Sequence, residues 1–182
     1  MAADAEWHLV WLDLEMTGLN PLRDSIVEVA VLVTDMDLRR LGESRKIAVW
    51  QPEEVLARMT PFARDRHAKS GITDRSRQST STLADAEREI LVSIAATTPP
   101  GQGLLAGNSV WVDRTFLAAQ MPAVERYLHY QQVDVTGLKL MARQWFGDAA
   151  AFEKSESHEA DRDIEESIAE LAHYRGLFGV PS

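Results

Sequence analysis

Two acidic residues, Asp13 and Glu15, interrupt an otherwise apolar run at residues 8–15. Such a run is typical of a buried β-strand, where side chains two positions apart point to the same face, so both carboxylates would project together and repel. No Lys or Arg stands beside them in the sequence, and a bound divalent cation would relieve the repulsion. The run therefore predicts a metal site. The alternative is that Asp13 caps the following turn while Glu15 reaches solvent.

Length and composition restrict the class of protein. With 182 residues, the chain is long enough for one well-buried domain and short for two, so we expect a single domain over residues 1–182. The absence of cysteine excludes disulfides and thiolate metal sites. Residues 1–6 lack a basic segment followed by an apolar run, and no stretch approaches the roughly 18 apolar residues of a membrane span. We therefore expect a cytoplasmic protein without a membrane partner.

The charge of the chain bears on its partners. The net charge is −9, from 28 acidic and 19 basic residues, so the overall field should repel a long polyanion. We expect no binding of long duplexes. A short oligonucleotide remains compatible with this charge, because metal ions and a few local arginines can hold it.

The order of the predicted elements indicates an α/β fold. Three early β runs with short connections suggest an antiparallel meander, after which helices and strands alternate. This order predicts a mixed five-stranded sheet flanked by helices. The predicted strands are residues 7–15, 25–34, 46–50, 104–107 and 132–135. The predicted helices begin near residue 61 and cover residues 82–96, 113–120, 138–146 and 159–177, with a capping box at residues 82–85.

Two more acids stand at predicted helix starts. Asp113 follows the turn-prone Gly107-Asn108-Ser109, beside the carboxyl end of the sheet, and Asp163 lies in the first turn of the last helix. Alone, Asp113 would be read as a helix-dipole partner and Asp163 as a solvated structural acid. His158 precedes Asp163 by five residues, roughly 140° out of line on an ideal helix. The two can share a site only if His158 stands at or before the first turn.

These motifs together resemble one family. Asp-Leu-Glu-Met-Thr-Gly-Leu at residues 13–19, Gly-Asn-Ser with Asp113, and His-x-Ala-x-x-Asp from His158 to Asp163 resemble the three motifs of the DEDDh 3′-to-5′ exonucleases, specifically those of the oligoribonuclease family. The resemblance runs almost end to end and includes residues 67–71, 128–135 and 166–175. It implies a ribonuclease-H-like fold, a homodimer and removal of nucleotides from very short single-stranded RNA down to the dinucleotide.

The chemistry of the acids agrees with this resemblance. Asp13, Glu15, Asp113 and Asp163 offer only hard oxygen ligands, which suit Mg²⁺ or Mn²⁺ rather than zinc or copper. Two such ions about 4 Å apart can activate a water and neutralise the leaving 3′-oxygen. Four carboxylates balance two divalent ions in formal charge. His158 is the natural general base, because histidine changes charge near neutral pH.

The resemblance also implies residues that contact the bases. Leu19 matches the family's wedge between bases. Phe62 stands where a tryptophan is usual and offers a smaller stacking face. For both residues, packing in the core is the alternative. His67 begins a segment similar to the family's His-x-x-Ser-Gly element, and we expect it among the substrate-binding residues.

The resemblance also implies which residues bind the 5′ end of the substrate. Ser109 and Thr136 keep the hydroxyls of the family's 5′-phosphate pocket, and Tyr130 matches an aromatic residue that the partner subunit contributes. Gln131 stands where arginine is expected, and Gly137 where a hydroxyl residue is expected. We therefore expect a weaker preference for the 5′-phosphorylated dinucleotide than in relatives. An arginine from elsewhere, such as Arg114 or Arg143, could compensate.

The sequence thus favours a metal-dependent 3′-to-5′ exoribonuclease of the oligoribonuclease type. One alternative is a DEDDh exonuclease that acts on short DNA or on longer single strands. A second is a catalytically idle nucleotide-binding dimer. The presence of all four acids and the histidine weighs against idleness.

Overall fold

Five strands form one twisted sheet at the centre of the molecule. The computed structural model describes residues 6–153 and 160–179. The sheet order is β3-β2-β1-β4-β5; β2 is antiparallel to β1 and β3, whereas β4 is parallel to β1 and β5. The predicted mixed five-stranded sheet is confirmed. Its strands are β1 (His8–Met16), β2 (Ile26–Thr34), β3 (Arg45–Ala48), β4 (Gly103–Gly107) and β5 (Gln132–Asp134).

Helices cover both faces of this sheet. The predicted capping box starts the fourth helix, where Thr82 N donates to Asp85 Oδ2 and Asp85 N donates to Thr82 Oγ1. Within residues 6–153 and 160–179, no helix combines the length and the apolar character needed to cross a membrane. The helices are α1 (Glu53–Leu56), α2 (Pro61–Ser70), α3 (Ile72–Gln78), α4 (Leu83–Ala95), α5 (Trp111–Gln120), α6 (Pro122–Tyr127), α7 (Val135–Phe146) and α8 (Ala160–Leu177), with a 3₁₀ turn at Gly147–Ala150.

Two helices begin earlier than the sequence predicts. Helix α5 begins at Trp111 rather than Asp113, so Asp113 lies inside its first turn. Helix α7 begins at Val135 rather than at residue 138, because the Asp134 side chain caps it by accepting a hydrogen bond from Thr136 N. Both starts lie at the carboxyl ends of the parallel strands β4 and β5.

The alternation along β1 directs its side chains into two cores. Val10, Leu12 and Leu14 pack with residues of α4, α5 and α6 on one face of the sheet. Leu9 and Trp11 pack with residues of α7 and α8 on the other. Asp13 and Glu15 share the parity of Leu9 and Trp11, and their carboxylates therefore lie on the α8 side of the sheet.

Candidate active site

Three carboxylates converge where β1 ends beside the start of α8. One oxygen each from Asp13, Glu15 and Asp163 lies within 4.8 Å of the others. The group lines a cavity of about 620 Å³, and Asp113 lines the same cavity. The structure therefore brings the four predicted acids to one place, although they come from three separate segments of the chain.

Asp113 is tied to β1 by a hydrogen bond. Leu14 N donates to Asp113 Oδ1 over 3.0 Å. Burial raises the pKa of Asp113 to about 7; the bond from Leu14 opposes the rise, and the charges of Glu15 and Asp134 add to it. Asp113 stands beside the tight group of three oxygens rather than within it, with its carboxylate held against the strand.

The carboxylates of this site are incompletely satisfied. Burial first, and then the charges of Asp113, Glu15 and Asp163, raise the pKa of Asp13 well above its ordinary value. Among the described residues, Asp13 Oδ2 and Glu15 Oε1 are buried without a hydrogen-bond partner. Buried polar atoms normally have partners, and hard oxygen atoms of this kind are the ligands that Mg²⁺ and Mn²⁺ prefer. The donor set fits such ions.

His67 supports Glu15 from helix α2. Its Nε2 lies 2.9 Å from Glu15 Oε2, and the ring is buried. The helix is fixed at both ends, because Thr60 caps its first turn and Gly71 ends it with φ +73°. The sequence predicts His67 as a substrate contact; its ring lines the cavity and is also placed to orient a metal-binding carboxylate.

A cation from another element lies among these acids. Arg66 Nη2 is 3.3 Å from Asp163 Oδ2 and 3.6 Å from Glu15 Oε1. Neighbours along β1 do not reveal this cation, because Arg66 arrives from α2. Its charge opposes the rise in the pKa of Asp13.

Three apolar side chains are exposed at the rim of the cavity. Leu19 and Phe62 both line it, and Phe62 is 75% exposed; core packing, the alternative for both, is therefore wrong. Leu19 follows Gly18, where an added Cβ would collide with the Asp24 carboxylate. Sequence reasoning missed Trp111, which is 59% exposed on the same cavity. The available signal was a tryptophan between the turn and Asp113.

The side chains of Ser109 and Thr136, both predicted to bind the 5′-phosphate, contact each other. Ser109 N donates to Thr136 Oγ1 over 2.9 Å, and the two hydroxyl oxygens are 3.1 Å apart. Asp134 Oδ1 accepts from both backbone N–H groups, and Thr136 Oγ1 donates to Asn108 Oδ1. Ser109, with φ +52°, lines the cavity. Thr136 stands behind it as a support.

Tyr130 is not among the described residues that line the cavity of its own chain. Tyr130 is 78% exposed and stacks on His129, with ring centroids 4.4 Å apart. Arg114 clamps this segment by donating to the carbonyl oxygens of His129 and Gln131 and to the Glu125 carboxylate. Neither Arg114 nor Arg143 is among the described residues that line the cavity.

The predicted general base is the one site residue that is not described. His158 lies outside residues 6–153 and 160–179. Asp163, five residues later, lies in the first turn of α8, as the sequence predicts.

The known proteins that this chain resembles in sequence are nucleases. The RNase T exonuclease family model matches residues 10–171. An oligoribonuclease of Pseudomonas paraeruginosa is 46% identical over 172 residues, which is 94% of this chain and 96% of that protein. An oligoribonuclease of Francisella tularensis is 45% identical over 168 residues, 92% and 94% of the two chains.

A solved structure supports the fold. Exonuclease I of E. coli, determined in complex with a 5cy-dT13 oligonucleotide, matches with a TM-score of 0.69 at 16% identity. The match covers 96% of this chain and 43% of that one, so this chain spans less than half the length of exonuclease I. At this identity, the likeness bears on the fold alone.

Proposed function

Because the chain belongs to the oligoribonuclease family of exonucleases, we propose that it is a metal-dependent 3′-to-5′ exoribonuclease that degrades short oligoribonucleotides to mononucleotides. One observation carries the proposal: buried carboxylate oxygens of Asp13 and Glu15 lack hydrogen-bond partners within the described residues, at the wall of an open cavity. A purely structural acid cluster would have these oxygens paired. We also propose that residues 1–182 act as one exonuclease domain.

The metal site would consist of Asp13, Glu15, Asp113 and Asp163. Two Mg²⁺ or Mn²⁺ ions bound there would supply an activated water and neutralise the charge that develops on the leaving 3′-oxygen. The protein contributes the fixed positions of the ligands. His67 holds one oxygen of Glu15, and Leu14 N holds one oxygen of Asp113.

We assign His158 as the general base that accepts a proton from the attacking water. A general base must be neutral before the attack and becomes charged during it. Its position in the His-x-Ala-x-x-Asp motif and the placement of Asp163 in the first turn of α8 support this role. A matched test is His158→Ala, which should lose the rising limb of the pH–rate profile while metal binding is kept.

The cavity explains how a short strand would be held. Leu19, Phe62 and Trp111 offer exposed apolar faces at its rim, and aromatic faces stack on bases of any sequence. The hydroxyl of Ser109, braced by Thr136, offers a hydrogen bond to a terminal phosphate. A volume of about 620 Å³ is typical of small-ligand sites, which suits a substrate of a few nucleotides.

We further propose a homodimer in which Tyr130 enters the partner's site. The support is the exposure of Tyr130, its absence from the described lining of its own cavity and the hydrogen bonds by which Arg114 holds this segment. Mixing Tyr130→Ala protein with Asp13→Asn protein should form heterodimers with one intact site, more active than either parent. A fully active monomer would contradict the shared site.

We propose that the preference for a 5′-phosphorylated dinucleotide over longer strands is weak, because Gln131 replaces an expected arginine and Gly137 an expected hydroxyl residue. An added Cβ at Gly137 meets nothing within 4 Å, so Gly137→Ser should fold normally. We expect Gln131→Arg with Gly137→Ser to sharpen the preference for a 5′-phosphorylated dinucleotide. The measurement is kcat/KM for two-, three- and five-nucleotide RNAs, with and without the phosphate. A steep preference in the natural protein would contradict the proposal.

The main activity is tested by release of mononucleotides from matched RNA and DNA strands of two to twenty nucleotides. We expect release that requires Mg²⁺ or Mn²⁺, stops with EDTA and favours short RNA, with Asp13→Asn as the inactive control. Equal degradation of DNA or of long strands would point to a broader DEDDh exonuclease. No release from any strand would indicate an idle dimer.

A further inference from the structure

Arg66 places a positive charge among the acids proposed to bind metal. Its Nη2 lies 3.3 Å from Asp163 Oδ2 and 3.6 Å from Glu15 Oε1, and the side chain is 29% exposed. Both acids belong to the three-carboxylate group that could hold an ion. The guanidinium therefore meets the same carboxylates that a divalent ion would use.

The contacts of this arginine are incomplete. At 3.6 Å, the approach to Glu15 is longer than a hydrogen bond, and Glu15 Oε1 remains without one among the described residues. The buried Arg66 Nε also has no hydrogen-bond partner within the described part of the chain. By contrast, Arg75 forms a two-point pair with Glu28 at 2.9 and 3.1 Å. Arg66 is thus held mainly by charge, with one longer bond to Asp163.

We propose that Arg66 is an internal counter-cation that offsets part of the negative charge of the site in the metal-free protein and is displaced when a divalent ion binds. This inference rests on the proposed function, since it assumes that the acids bind metal. A divalent ion draws its oxygen ligands to about 2.0–2.1 Å and repels a guanidinium a few ångströms away. The Arg66 side chain is already in partial contact with solvent.

Two consequences follow from competition for the same oxygens. Arg66 lowers the repulsion between the acids when metal is absent, and it weakens the apparent affinity for metal because its contacts must first be broken. An arginine that merely held Asp163 in place for the ion would instead strengthen the affinity for metal. The sign of the change in affinity therefore separates the two roles.

The experiment is a calorimetric titration of Mn²⁺ into metal-free protein, comparing the natural chain with Arg66→Met. Arg64→Met is the matched control: Arg64 lies on the same helix, its removal changes the net charge equally, and its guanidinium donates to the carbonyl oxygens of Ala57 and Met59 rather than to an acid. We expect Arg66→Met to bind Mn²⁺ about three- to tenfold more tightly than the natural protein, and Arg64→Met to bind as the natural protein does. Arg66→Gln provides a second neutral variant.

Thermal unfolding supplies a second readout. Without metal, Arg66→Met should melt at a lower temperature than the natural protein, and saturating Mn²⁺ should remove this difference. Unchanged or weaker Mn²⁺ binding in Arg66→Met, or a stability loss that persists with Mn²⁺, would overturn the counter-cation role alone. Failure of the natural protein and both Arg66 variants to bind Mn²⁺ would overturn the proposed metal centre, and the inference with it.

Discussion

Glu15 and Glu28 face each other across β1 and β2, and both are buried. They differ in what satisfies their oxygens. Arg75 occupies both oxygens of Glu28, with Nε at 2.9 Å and Nη2 at 3.1 Å. Glu15 has His67 on one oxygen, while the other has no hydrogen bond among the described residues. Residue type, cross-strand register and burial are thus shared, whereas the pairing and the neighbouring acids separate a structural acid from a candidate metal ligand.

The two pairs also hold different parts of the fold. Arg75 donates to Ser70 O as well as to Glu28, so the Glu28 pair ties α3 and the end of α2 to the sheet. The Glu15–His67 pair ties the middle of α2 to the same sheet at the cavity wall. Helix α2 is therefore fixed by two buried carboxylates, of which one retains an oxygen for a ligand.

The largest expected difference between the two regions is in turnover. Asp13→Asn keeps the shape of the side chain but removes a charged ligand, so we expect turnover to fall by about 10²–10³-fold or more. The metal-free variant should be at least as stable as the natural protein, because repulsion among the acids is relieved. Single-turnover assays at saturating Mg²⁺ measure the effect, with Glu28→Gln as the control that keeps activity. Near-normal turnover in Asp13→Asn would remove Asp13 from the site.

The second expected effect is on stability. Arg75→Met leaves the buried Glu28 carboxylate without its cation, which should lower the free energy of unfolding by about 3–5 kcal/mol. Turnover per folded molecule should remain near normal below the unfolding transition. Urea unfolding in EDTA checks the first statement, and activity at low temperature checks the second. Loss of turnover in a variant of unchanged stability would mean that Glu28 belongs to the active site.

A smaller effect is expected at the support of Glu15. His67→Phe retains the ring volume but not the bond to Glu15, and loss of such a support typically weakens metal binding by about 10–100-fold. We expect the Mg²⁺ requirement to rise while kcat at saturating Mg²⁺ is largely kept. Should metal affinity stay constant while KM for RNA rises, His67 would be a substrate contact instead.

The smallest expected effect is a dependence of metal-free stability on pH. The pKa of Asp113 is about 7 in the folded chain, against an ordinary value of about 3.9. Between these values the folded state keeps a proton that the unfolded state has released. Stability from this group is therefore fully present below about pH 4 and is lost as pH rises through 7.

Melting temperatures in EDTA test this dependence. We expect the natural protein to lose a few degrees between pH 5 and pH 8, at about 2–4 °C per kcal/mol, and Asp113→Asn to show a flatter profile. Saturating Mg²⁺ should remove the slope, because metal favours the ionised acids. A metal-free protein that becomes more stable over this range, equally in both variants, would contradict the assignment.

Local sequence patterns were sufficient to predict a residue's role where that role depends on its own segment of the chain. The apolar run around Asp13 and Glu15 predicted both the strand and the shared face, and the turn before Asp113 predicted a helix start two residues after the observed one. Glu28 carries a similar signal, as a single acid inside the apolar strand Ile26–Thr34, but it lacks a second acid two positions away. Its role depends on Arg75, which no strand pattern predicts.

Several contacts that sequence reasoning missed join distant segments of the chain. Arg66 reaches Asp163 from another helix, and Asn108 meets Glu170 on α8 and Thr136 on α7. Hydrophobic periodicity assigns such residues to a face but not to a partner. Trp111 was missed because the start of α5 was predicted two positions too late.

Asp13 and Glu15, whose carboxylates are incompletely paired, are proposed to bind divalent ions, whereas Glu28, which is paired with Arg75, is not. Calorimetric titration of Mn²⁺ into the natural protein, Asp13→Asn and Glu28→Gln tests this claim most directly. We expect Glu28→Gln to bind the same number of ions as the natural protein and Asp13→Asn to lose at least one. Equal binding by Asp13→Asn and the natural protein would contradict the claim.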